Sequence, residues 1–146
     1  MFSRKKVLGI LTIAIALGVA VPAFGDVLAF TAASGLSSTG GTPVNLGMSF
    51  TVNDTITVDA LGFYDIGPSD NLLTPVAIYT SSGTLLASTN VPSSAGQVDG
   101  YLFQSISPIT LTAGDSYIVD EFTGNGNWDF GGAGPPSTPA SITYTG

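Results

Sequence analysis

Leu46, Met48, Phe50 and Val52 alternate with Asn45, Gly47, Ser49 and Thr51. A period of two puts the apolar set on one face and the polar set on the other, which predicts a half-buried β-strand. Asn53-Asp54 is a turn signal directly after it. Ile56, Val58 and Ala60 then share one face, but Leu61 and Phe63 fall on the other. That change of phase at Ala60-Leu61-Gly62 predicts a β-bulge, or a strand covered on both faces. Residues 75–79 and 84–91 flank Thr80-Ser81-Ser82-Gly83, a hairpin signal in which Gly83 takes a positive φ. Residues 101–106 and 116–122 predict two further strands, and 141–144 a short last one. After residue 25 no helical stripe is found, and no internal repeat. Three Gly-rich stretches, 34–43, 65–74 and 124–139, read as long loops, the usual carriers of function on a rigid scaffold.

The amino-acid inventory agrees with this pattern. From residue 26 onward the chain is rich in Thr, Ser, Gly and Val, and Glu121 is its only glutamate. The usual surface helix formers are nearly missing, while strand formers dominate. The expected fold is an all-β antiparallel sandwich, immunoglobulin/fibronectin-like or jelly-roll-like, forming a single domain over residues 26–146.

The first 25 residues are of another kind. Arg4-Lys5-Lys6 forms a positive start, residues 7–21 are almost wholly apolar, and Pro22-Ala23-Phe24-Gly25 places small residues before Asp26. This is the layout of a secretory signal peptide, expected to be helical and to be removed before Asp26. The alternative is a retained N-terminal anchor. Fifteen helical residues at ~1.5 Å each reach only about 22 Å, short of the ~30 Å hydrocarbon core. The expectation is therefore a secreted protein, extracellular or at the cell surface, with no stable membrane span once the signal is gone. Absence of cysteine fits an exported protein that relies on a packed core rather than on disulfides.

Charge removes whole classes of function. All three basic residues lie in the first six positions and all ten acids lie from Asp26 onward, with no histidine anywhere. Residues 26–146 therefore have no proton-shuttling His, no Cys or Lys nucleophile and no Arg clamp. Nucleic acid is excluded as a partner, because phosphate binding is driven by Lys and Arg. Extracellular polysaccharide and other surface proteins remain compatible partners.

One local motif is specific. In Leu111-Thr112-Ala113-Gly114-Asp115-Ser116-Tyr117, a Leu, a turn and a Tyr entering the next strand have the layout of a tyrosine corner. Leu111 is expected to fill the core, Gly114 to supply the unusual backbone angle, and Tyr117 to bond back to the backbone. Together with Phe50-Thr51-Val52, residues 58–65, Val76-Ala77-Ile78-Tyr79 and residues 82–87, this segment resembles an exported bacterial domain common among PEP-CTERM (exosortase-sorted) proteins. It is also similar to a related β-sandwich domain attached to surface and polysaccharide-associated proteins. The resemblance covers roughly residues 46–122. It implies a β-sandwich, export, and a role at the cell surface or in extracellular matrix, and it brings no catalytic signature. Such proteins end in a Val-Pro-Glu-Pro motif, an apolar helix and a basic cluster. The sequence given closes on Thr143-Tyr144-Thr145-Gly146 instead, so the expectation is a truncated or a released form.

Three chemistries remain for the other residues. Trp128, flanked by Asn127 and Asp129, offers a flat ring beside amide and carboxylate groups, the equipment for stacking on a sugar. Asn125, Asn127 and Asp129 place oxygen side chains at alternate positions, a candidate calcium site. Phe130 and Pro136 stand where an EF-hand loop needs Gly and Glu. An aspartate-dependent glycoside hydrolase would need two carboxylates across a bond, drawn from Asp59, Asp65, Asp70, Asp120, Glu121 and Asp129, and their spacing selects no pair. The expectation is a non-catalytic surface or matrix protein without a resident cofactor. A carbohydrate- or calcium-binding module is the alternative, and the hydrolase stands behind both.

Overall fold

The computed structural model describes residues 27–32, 36–40, 43–65, 73–124, 127–131 and 134–146, with 36–40 and 127–131 described through their backbone pairing. The predicted signal segment lies outside these residues. Ten strands run in chain order: β1 (Leu36–Gly40), β2 (Asn45–Val52), β3 (Ile56–Tyr64), β4 (Leu73–Thr80), β5 (Leu85–Pro92), β6 (Gln97–Val98), β7 (Tyr101–Leu111), β8 (Ser116–Phe122), β9 (Asn127–Gly131) and β10 (Ile142–Tyr144). All pairings are antiparallel. A five-stranded sheet, β10-β2-β8-β4-β5, packs on a three-stranded one, β3-β7-β6, as a β-sandwich.

The core follows from the alternation. Phe50 and Val52 on β2, Val76 and Ile78 on β4, Val91 on β5 and Tyr117 on β8 are buried on one face of the large sheet. They meet Leu61, Leu102 and Leu111 from the small sheet, and Phe30 and Ile142 join them. The Phe30 ring stands edge-on to Phe50, with centroids 5.4 Å apart.

The change of phase along β3 has a cause on the partner strand. Val58 pairs with Ile109 but Ala60 pairs with Ser105, so Ile106, Ser107 and Pro108 bulge out of β7 opposite Asp59. The irregularity thus lies one step earlier than Ala60-Leu61-Gly62, and the extra residues belong to β7. Proline has no N–H to give to a ladder, and a bulge accommodates it within a strand. Beyond the bulge both strands reverse their faces, so Leu61 is buried where Asp59 was exposed. Pro75 is tolerated in a similar way: the β4–β8 ladder begins only at Val76.

Two of the three supposed loops contain a whole strand, and the third, 65–74, ends in the first two residues of β4. Stretch 34–43 holds β1 and stretch 124–139 holds β9, and these two pair with each other. Stepping outward from the pair Asn45↔Phe122 brings Gly40 opposite Asn127, which is the observed pair. The β1–β9 ribbon, a sheet of its own, therefore keeps the register of the β2–β8 ladder. At the junction the Thr123 N–H donates to Val44 O (3.0 Å), and the Val44 N–H donates to Thr123 Oγ1 (3.3 Å).

Candidate functional site

The two ends of the sandwich differ. Turns 53–55, 81–84 and 112–115 close one end tightly, whereas Tyr64, Leu73, Pro92 and Phe122, the strand residues at which the other connections begin or end, lie at the opposite end. At the tight end, Gly83 adopts a φ of 86° in the β4–β5 turn. The β7–β8 crossing between the sheets is pinned by Tyr117, whose hydroxyl accepts a hydrogen bond from the Thr112 N–H at 2.9 Å. Leu111 is fully buried beneath it. Gly114 has a φ of 87°, a left-handed conformation that favours glycine, and its N–H donates to Val52 O at 2.7 Å. Leu111, Gly114 and Tyr117 thus act together as a structural clasp.

At the open end stands a ring cluster that sequence reading left scattered. Tyr64 and Tyr101 are direct cross-strand partners, their rings edge to face at 5.0 Å, and Phe103 stacks on Tyr101 at 5.8 Å. By alternation these three share the face of the small sheet opposite Phe63 and Leu102. Gly62 makes room for them: a Cβ there would lie 2.4 Å from the Phe103 ring and 2.3 Å from Leu102 O. Burial of Tyr101, then the proximity of Tyr64 and of the Glu121 charge, push its phenol up to about 12. The approach to this end is fixed by Gln97 Nε2 donating to Asp65 O (2.8 Å) and by the Asp65 N–H donating to Gly100 O (2.9 Å).

The sequence-designated binding residues fall differently from expectation. Asn127, Trp128 and Asp129 lie in β9 rather than in a loop, opposite Gly40, Thr39 and Ser38. Asn125, the third calcium candidate, lies outside the described residues. Among the described residues, no three acids gather as a metal-holding group.

The remaining acids are likewise dispersed. Asp59 is exposed on β3, and Asp70 lies outside the described residues. Asp120 and Glu121 are neighbours in sequence but occupy opposite faces of β8. Glu121 pairs with Leu46 and Val76 on the inward side, whereas Asp120 pairs with Gly47 and Ala77 on the outward side. Burial raises the Asp120 carboxyl above its ordinary value. An acid that is partly desolvated on the outer face of a sheet is unusual, since such faces are normally where carboxylates are freely hydrated.

No curated protein and no solved structure matches the chain. One family model does, over residues 31–133, a span that takes in both strands of the ribbon and stops short of β10. With most of its length covered by that match, the chain belongs to the family described as a domain of unknown function, DUF4082.

Proposed function

We propose that this chain is an exported, non-catalytic β-sandwich module that works at the cell surface or in extracellular matrix, of the PEP-CTERM type. One observation carries the reading: residues 26–146 contain no Lys, Arg, His or Cys, behind an N-terminal segment with the layout of a secretory signal. Such a body has few groups for moving protons or forming covalent intermediates, but a sandwich with long connections at one end is well suited to holding a partner. The chain tagged at its C-terminus and produced in a bacterium should appear outside the cytoplasmic membrane, with residues 1–25 missing by intact mass. Full-length protein in the cytosolic fraction would contradict export. Uniform release into the medium, with none retained on cells or matrix, would contradict surface association.

Carbohydrate binding is the second reading. It is favoured by Phe122, which is 44% exposed on the solvent face of the large sheet beside Asn45 and Asp120.

A further inference from the structure

The outer face of the five-stranded sheet has an internal relief that only the register reveals. Ser49, Ile118, Tyr79 and Leu85 stand side by side across β2, β8, β4 and β5. The next outward row is Gly47, Asp120, Ala77 and Ser88, and the row beyond it contains Asn45 paired with Phe122, and Pro75 paired with Asn90. Small residues thus form the floor, with a bulky row on either side. At Gly47 a Cβ would already lie 2.9 Å from the Asp120 Cβ, so this part of the floor stays low. Rows on one face of a strand are about 6.7 Å apart and strands about 4.8 Å apart, so the flanking rows stand about 13 Å apart and the trough runs about 14 Å across four strands. Much of it is open to solvent: Leu85 is 53% exposed, Gly47, Ser88, Asn90, Asn45, Pro75 and Phe122 are exposed as well, and Tyr79, Ala77 and Asp120 are half-buried.

We infer that this transverse trough is a binding site for a neutral oligosaccharide, lying over Asp120 between Tyr79 and Phe122. The inference rests on the carbohydrate-binding reading above and places the ligand away from Trp128. Aromatic rings on both banks supply apolar surface for sugar faces, while Asn90, Asn45, Ser88 and Asp120 supply directed hydrogen bonds to hydroxyls. Charge decides against other classes. Asp120 is the only charged side chain on this face among the described residues, and the chain has no cation beyond residue 6. An anionic polymer therefore meets an acid and no counter-charge, whereas a neutral polyol meets an acceptor flanked by rings.

Affinity electrophoresis of the purified protein through gels containing laminarin, hydroxyethylcellulose, xylan or galactomannan tests this, with alginate as the anionic comparison. Retardation by at least one neutral polymer is expected, weakened at least tenfold in Tyr79→Ala and Phe122→Ala. Ser88→Arg, which obstructs the floor without removing a ring, should weaken it similarly. Far-ultraviolet spectra matching the parent establish that these surface variants fold. Retardation that survives all three substitutions, or is abolished by Trp128→Ala alone, would leave a carbohydrate module but overturn the trough. Retardation by alginate only, or by none of the polymers, overturns it as well. So does a concentration-dependent dimer lost in Tyr79→Ala, which would make a second copy the occupant. None of these outcomes bears on export or surface retention, which the fractionation above reads separately.

Discussion

Replacing Tyr117 by Phe removes one oxygen and keeps the ring. The tilted contact with Phe50, at 5.9 Å between centroids, and the burial of the ring therefore survive. What disappears is the 2.9 Å hydrogen bond from the Thr112 N–H. A hydrogen bond of this kind contributes about 1 kcal/mol net, and a fully buried orphaned donor would raise the loss toward about 3 kcal/mol. Thr112 is exposed and the bond is only part-buried, so a figure near the lower one applies. With an unfolding entropy of about 2.1 cal/mol/K per residue, a body of about 120 residues loses about 4 °C of Tm per kcal/mol. Thermal unfolding followed by circular dichroism should therefore show Tyr117→Phe melting about 4 °C below the parent. Leu111→Ala, which opens a cavity at a fully buried site, should cost about 2–5 kcal/mol and fall much further. A Tyr117→Phe melt within 1 °C of the parent would refute the clasp, because the crossing would then be held by packing alone.

Three other outcomes follow from single sites. Gly62→Ala drives a methyl into the Phe103 ring and Leu102 O, and should cost about 1–3 kcal/mol as overpacking does, read as a shifted urea midpoint with unchanged slope. In an ultraviolet titration of the five tyrosines, one phenol should ionise near 12, and Tyr101→Phe should remove that late step. Because the folded state holds this proton more tightly than the unfolded chain, its contribution to stability is whole below about pH 10 and is lost as pH rises through about 12. The Asp120 carboxyl is also raised, so its ionisation works against folding as pH climbs above the ordinary carboxylate range. Asp120→Asn should therefore melt higher than the parent at pH 7, and the gain should vanish when both are measured at about pH 3.

Much of the sandwich was legible in local pattern. The alternation 45–52 and the turn at Gly83 are signals carried by adjacent residues, and so is the layout of Leu111, Gly114 and Tyr117. What escaped was structure supplied from a distance. Leu36-Ser37-Ser38-Thr39-Gly40 has one apolar residue and the composition of a loop, yet it is a strand because it pairs with β9, some ninety residues further along the chain. β7 runs past the predicted end at Ile106 as far as Leu111, because the bulge opposite Asp59 accommodates Pro108. β6 had a signal that went unused: Asp99-Gly100 is a strong two-residue hairpin dipeptide, and both residues take positive φ. The outer trough was out of reach. Gly47, Ala77, Ser88 and Asp120 are neighbours only through the pairing of four strands, and no short window of sequence brings the four together.

The register that joins β1 to β9 also sets the order of events in time. Leu36 waits for Gly131, and Val52 waits for Ile142, so neither β1 nor β2 completes its ladders until the end of the chain is present. Pairing between such remote positions is slow, on the order of milliseconds to seconds. The β4–β5 hairpin, whose strands are joined by a four-residue turn, is free to form first, and the ladders that tie the two ends of the chain together close last.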